Sequence, residues 1–223
     1  AAFHIGFHNA SKGRRVLNLA LEADYAEVEE RQLFKIFSRK YFQDENRDRS
    51  AYINYTDYLF GRLDHVLEKY EEECFQEFEK YKTNFTRYSF ESYTIQDFLL
   101  DVENAKDFDL IILDHLHFMD LTGGSENQAF KDALTKMRKV VLSNKVPIIL
   151  VSQLRKESGS IGSSQSIMPD ISDFHGSSDI FKIATKGIMF ASAQSSVSVD
   201  KNKDTRRPTL VRAVKNRVDG SIK

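Results

Sequence analysis

Asp107-Phe108-Asp109-Leu110-Ile111-Ile112-Leu113-Asp114-His115 is the stretch that orders the rest of the chain. Leu110 to Leu113 is a short unbroken apolar run. Strands of a parallel sheet read this way, because helices cover both faces of the sheet. The run ends in Asp114, which sets a carboxylate at the carboxyl end of the strand. In open α/β sheets that edge is where ligands bind. A turn aspartate closing a buried strand is the plainer alternative.

Two more apolar runs end the same way. Val16 to Leu21 is β-rich and ends in Glu22; Val146 to Val151 is a second buried strand ending at Ser152-Gln153. Ala1 to Ser11 reads as a helix stopped by Lys12-Gly13-Arg14-Arg15, a glycine C-cap with basic neighbours. Asp24 caps a helix running to about Tyr41, with Glu27, Glu29 and Glu30 as solvated acids at its positive end. Thr94 to Ala105 is a helix capped by Thr94 with Asp97 three residues on. Asp120 to Asn127 is a loop, and Gln128 to Ser143 a helix carrying Phe130, Leu134, Met137 and Val141.

Between Gln43 and Tyr52 the chain is polar and reads as a loop. Thr56 to Lys82 then reads as one or two amphipathic helices, with Leu59, Leu63, Val66, Leu67, Tyr70, Cys74 and Phe78 at helical spacing. That stripe is core or subunit contact rather than a ligand site. Tyr88 to Phe90 reads as a strand. Toward the end, Glu157 to Ser166 is rich in Gly and Ser and is expected to be mobile. Ile180 to Lys186 is expected to be helical and Gly187 to Ala191 a strand. Val197 to Arg207 reads as a hairpin tip, and Thr209 to Val214 as a last strand entering Lys215-Asn216-Arg217.

The 223 residues suffice for one domain with a sizeable core. At 41% hydrophobic and 29% charged, the composition is that of a soluble globular protein. A net charge of −1 argues against a dedicated basic nucleic-acid module but leaves room for local basic loops. The single Cys74 excludes an internal disulfide. It fits an intracellular, reducing compartment such as cytoplasm, nucleoid or organelle matrix. No apolar run approaches the ~20 residues of a membrane span.

Strands alternate with helices, so the expected fold class is α/β, with a mostly parallel central sheet flanked by helices. The late strands lack intervening helices and are expected to be antiparallel. Glu22, Asp114, Gln153, and Lys215 with Arg217 now stand at four strand ends in order. The chain resembles the RecA-like P-loop NTPase motor domain of DnaB-type replicative DNA helicases, closest to the phage and mitochondrial primase–helicase branch. Five segments carry the resemblance: Leu19 to Glu22, Ile111 to His115, Val151 to Leu154, Ile171 to Ser177, and Val214 to Arg217. It covers nearly all of residues 1–223 as a single domain. Residues 42–85 match only as a helical insertion.

The resemblance implies ATP and Mg²⁺ as cofactors. Asp114 would be the Walker B carboxylate that holds Mg²⁺. Glu22 would polarise the attacking water, which needs a carboxylate within hydrogen-bond reach. Gln153 would sense the γ-phosphate, since an amide both donates and accepts. Lys215 and Arg217 would reach a neighbouring subunit's γ-phosphate, Arg217 as the arginine finger. Arg155 and Lys156 would meet the phosphates of single-stranded DNA. The implied assembly is a homo-oligomeric ring, as a hexamer, with a primase as a further partner and no membrane. Each residue also has a plainer reading as a solvated strand-end or loop residue. His115, His117 and His175 lack metal-site spacing and read as core residues or residues behind the site.

Two departures qualify the resemblance. No Gly-x4-Gly-Lys-Ser/Thr occurs in the chain, although phosphates need that backbone cradle and its lysine. Ala1 to Ser11 resembles the helix that directly follows it, so the expectation is a chain starting just past its phosphate loop and stopping before the family's last strands. Also, His175 stands where the family usually has Arg, and Thr185 where it usually has Asp. Two other readings stay open: another RecA-like ATPase, of recombinase or clock-protein type, and a non-catalytic RecA-like assembly module.

Overall fold

The computed structural model describes residues 2–82, 85–88, 92–104, 107–120, 126–153, 182–192 and 209–217. The chain divides into two compact units, residues 1–120 with 139–151, and residues 121–138 with 152–223.

The first unit is built on a four-stranded parallel sheet. Its strands are β1 (Val16–Ala20), β2 (Phe85–Tyr88), β3 (Leu110–Asp114) and β4 (Ile148–Leu150), in the order β2-β1-β3-β4. All of β1, and β3 through Leu113, are buried, which explains why both read as unbroken apolar runs. The register sets Ala20 opposite Asp114 and Leu113 opposite Leu150. Among the described residues β4 is the edge of this sheet, and its residues are half-buried rather than buried as expected. β2 begins three residues before the strand expected from Tyr88, pairing Phe85 to Tyr88 with Val16 to Leu19.

Helix α1 (Ala2–Ser11) covers one face of the sheet, where Ala2, Ala10, Val16, Leu110 and Ile112 form one apolar cluster. It ends as its sequence predicts. Gly13 takes φ +79°, and the N–H groups of Lys12, Gly13 and Arg14 turn back onto the carbonyls of Asn9 and Ala10. Helix α2 (Tyr25–Gln43) starts at Asp24, whose Oδ1 accepts from the Glu27 N–H at 2.8 Å.

The expected one or two helices after residue 55 are three: α3 (Tyr55–Leu59), α4 (Asp64–Leu67) and α5 (Glu71–Lys82). The first break is Gly61, whose φ of +68° a helix cannot hold. The stripe nonetheless works largely as core. Leu63, Val66, Tyr70, Cys74 and Phe78 bury with Ile36, Phe37 and Tyr41 of α2 and Phe7 of α1, while Leu59 is 49% exposed. Helix α6 (Ile95–Asn104) carries the expected capping box, Thr94 and Asp97 bonding reciprocally.

In the second unit, β5 (Lys186–Ser192) and β6 (Thr209–Asn216) form the expected antiparallel pair, with a bulge between Gly187 and Ile188. Met189 and Val214 are buried, while Ile188, Phe190 and Val211 are exposed on the ribbon. Of the helix expected over Ile180 to Lys186, Lys182 and Ile183 are helical, Lys186 belongs to β5, and residues 180–181 lie outside the described residues. Helix α7 (Glu126–Asn144) runs from this unit into the first.

Candidate functional site

The site grows out of the β1–β3 register. Because Ala20 faces Asp114, the residues just past β1 emerge beside the end of β3. The Leu21 N–H donates to the Asp114 carbonyl at 2.7 Å, extending the ladder by one rung. Glu22 follows, and α2 then turns its first two turns back over the strand ends. The result is a cavity of about 280 Å³ lined by Phe3, Ala20, Glu22, Ala23, Glu27, Arg31 and Asp114. Two carboxylates from adjacent strand ends therefore face the same space as the Glu27 carboxylate and the Arg31 guanidinium of α2.

Burial holds the Asp114 carboxyl above its ordinary value; the nearby His115 opposes this and the Glu22 charge adds to it. A half-buried carboxylate beside a second carboxylate disfavours its own charge, and a cation bound there would reverse that preference. The donor set is hard oxygen, which suits Mg²⁺. That ion takes one or two carboxylates and keeps its other positions for water and phosphate oxygens. Among the described residues no group of three or more His, Cys, Asp and Glu could form a closed metal cage. A Mg²⁺ site of this open kind does not need one.

His115 lies behind the cavity, 3% exposed, with Nε2 3.4 Å from Glu22 Oε2. The Asp114–His115 peptide bond is cis. The sequence places His115 in the core or behind the site, and it occupies such a place. Local spacing does not single out Arg31 and Glu27 as site residues. Arg31 pairs with Glu27 one turn earlier and lies 6.0 Å from the Tyr55 ring centroid. One signal points to them: α2 begins soon after Glu22, so its first turns must pass near that strand end.

Gln153 follows the end of β4 in sequence, is exposed, and belongs to the second unit. Lys215 lies near the end of β6 and Arg217 directly follows it, both in that unit. Burial lowers the Lys215 pKa, and the charges of Arg217 and Arg138 lower it further. Arg217 donates through Nη2 to the Lys182 carbonyl, and its backbone N–H to the Thr185 carbonyl at 3.0 Å. Arg138 donates through Nη1 to the Ile183 carbonyl at 2.6 Å. Three cations thus gather around residues 182–185, and Arg138 is one that the sequence does not point to. Arg155, Lys156, His175 and the segment Ile171 to Ser177 lie outside the described residues, as do the expected mobile loop and hairpin tip.

A parallel α/β sheet with acids converging at its carboxyl edge is the architecture of a RecA-like nucleotide-hydrolase domain. The sequence model of the family described as DnaB-like helicase C terminal domain matches residues 10–222, and the chain belongs to that family. Among solved structures, one described as an ATPase domain superposes with a TM-score of 0.74 at 16% identity, covering 100% of this chain and 73% of that one. A second, described as The Structure Of A DnaB-Like Replicative Helicase And Its Interactions With Primase, gives 0.67 at 15% identity, over 100% of this chain and 52% of that one. At these identities the likeness is one of fold. No curated protein matches the chain significantly. Among the described residues no helix is long and apolar enough to cross a membrane.

Proposed function

We propose that the chain is the motor domain of an ATP-driven, ring-forming DNA helicase that moves along single-stranded DNA. The observation that carries this reading is the shared cavity of Glu22 and Asp114 at the ends of adjacent parallel strands. Asp114 would hold Mg²⁺, which when bound neutralises charge on the nucleotide's phosphate oxygens. Glu22 orients the attacking water and accepts its proton. Gln153 donates to the γ-phosphate and relays its loss. Lys215 and Arg217 reach a neighbouring subunit's nucleotide in a homo-hexameric ring, and Arg155 and Lys156 meet DNA phosphates. A primase is a fitting partner for such a ring.

No Gly-x4-Gly-Lys-Ser/Thr lies within the 223 residues, so these residues alone are expected to bind ATP weakly. The test therefore uses the intact protein. DNA-stimulated ATP hydrolysis with strand separation supports the reading. Strand exchange in its place would assign the protein to the recombinase type, and the absence of any hydrolysis would assign it to assembly.

A further inference from the structure

We propose that His115 is a positioning residue for Glu22: its Nε2–H holds one carboxylate oxygen so that the other faces the cavity shared with Asp114. This inference rests on the reading of Glu22 as the group that activates water.

Glu22 follows the end of β1, and its side chain is 55% exposed. A glutamate so placed samples several rotamers, and most would carry its carboxylate away from a water beside Asp114. Activation of water needs the carboxylate within about 2.6–3.2 Å of the proton it takes. A group that restricts it must lie close by, and His115 Nε2 is so placed, 3.4 Å from Glu22 Oε2.

The imidazole is itself well held. It is 3% exposed, and its ring lies edge-on to Phe118 at 4.7 Å and to His117 at 5.7 Å. Its backbone is pinned on both sides. Asp114 ends β3, the His115 carbonyl accepts from the Phe118 N–H at 3.1 Å, and the Leu116 N–H donates to the Val151 carbonyl at 3.0 Å. A buried, packed ring thus aims one nitrogen at a mobile carboxylate, and not the reverse. With a proton on Nε2 the imidazole donates to Oε2 and leaves Oε1 to accept from water. A donor orienting a carboxylate this way acts through geometry, and a small misplacement of a reacting group lowers turnover more than ground-state binding.

Two substitutions separate the donor from the packing. His115→Phe keeps a ring in the buried site and removes the N–H. His115→Gln keeps an N–H of similar reach and removes the ring. In the intact protein, His115→Phe is expected to lower kcat of DNA-stimulated hydrolysis by about 10-fold or more with KM for nucleotide changed by less than about 3-fold, since the substrate's own contacts remain. His115→Gln is expected to restore most of that loss. In a Glu22→Gln background, His115→Phe should cost nothing further, because the two act as one unit. A second readout needs no turnover. Long-range proton–nitrogen spectra should place the imidazole proton on Nε2, and Glu22→Gln should shift that signal.

If His115→Phe turns over like the wild type while His115→Gln is impaired, His115 is packing only and the inference fails. A His115→Phe protein faster than wild type without DNA would mean that His115 restrains Glu22 from water, which also overturns it. Failure of the underlying reading looks different. There the intact wild type hydrolyses nothing, or its Glu22→Gln variant runs at full rate, and Glu22 activates no water whatever the nitrogen spectra report.

Discussion

At the carboxyl edge of the four-stranded sheet, Glu22 and Asp114 share a cavity with Arg31, and Glu22 also meets His115. At the end of the β5–β6 ribbon, Lys215 and Arg217 gather with Arg138, and residues 182–192 and 209–217 contain no Asp or Glu. Acids in the first unit are repeatedly met by cations: Glu27 by Arg31, Glu77 by Arg39, Glu73 by Lys40, Asp44 by Lys69. Arg138 and Arg217 of the second unit instead donate to the carbonyls of Ile183 and Lys182. A carbonyl accepts a hydrogen bond without cancelling the charge of its donor. One cluster gathers carboxylates, and the other gathers cations.

The sharpest way to break this contrast is to neutralise each cluster in the intact protein. Asp114→Asn is expected to abolish hydrolysis with a milder loss of nucleotide binding, and Glu22→Gln to reduce turnover by about 10²–10⁴-fold. Steady-state hydrolysis and nucleotide titration check both. If Asp114→Asn keeps normal turnover, the acid cavity is a structural feature and the contrast has no chemical meaning.

The next effect concerns the cations. Arg217→Ala is expected to lower turnover by ~10³-fold, because a finger's charge meets the transition state directly. Mixed rings of Arg217→Ala and Glu22→Gln subunits should recover hydrolysis where an intact Glu22 faces an intact Arg217. Full DNA-stimulated turnover by Arg217→Ala alone would remove the trans role.

How much of this is legible in the sequence follows from what each feature depends on. Asp114 is legible because a buried strand of a parallel sheet must be apolar throughout, so its first acid marks its end. The capping residues Asp24 and Thr94 are legible because caps are local hydrogen bonds. The break at Gly61 is hidden because one glycine within a helical pattern is ordinarily tolerated, and only its positive φ ends the helix. Arg31 depends on the first turns of α2 passing the strand ends at Glu22 and Asp114. The His115–Glu22 contact depends on the register of Ala20 against Asp114. Arg138 depends on the Ile183 carbonyl lying beside it. None of these three is written in local spacing.

Packing gives a smaller and more local comparison. Ile112 is fully buried under α1. Ile112→Ala is expected to cost about 2–5 kcal/mol, through lost transfer energy and the cavity left behind. Phe190 is 48% exposed on the ribbon. Phe190→Ala is expected to change stability by only about 0.5 kcal/mol. Urea unfolding of the chain measures both, and equal costs would show that the ribbon face is far better packed than its exposure implies.

The smallest effect tests whether the acids of the first unit are met by cations as tightly as the geometry suggests. Asp44 closes α2, its N–H donating to the Lys40 carbonyl at 3.1 Å. Its Oδ2 accepts from Lys69 Nζ and from Tyr70 Oη at 2.6 Å, and its Oδ1 from the Asn46 N–H at 2.8 Å. These bonds favour the ionised carboxylate, Lys69 foremost, and bring its pKa from 3.8 down to about 2. A depressed carboxylate contributes stability that is fully present above the unfolded pKa and is lost as pH falls through the folded one. The contribution should therefore hold above pH 3.8 and fade toward about pH 2. Because the group sits at the surface, the gain is modest and screened by salt. Asp44→Asn removes the titration while keeping an oxygen acceptor. Urea midpoints of the wild type should fall more steeply than those of Asp44→Asn between about pH 4 and 2, and added salt should narrow the gap. Parallel pH profiles would mean that Lys69 and Tyr70 do not hold Asp44 in solution, and that the first unit's acids are less compensated than its ion pairs suggest.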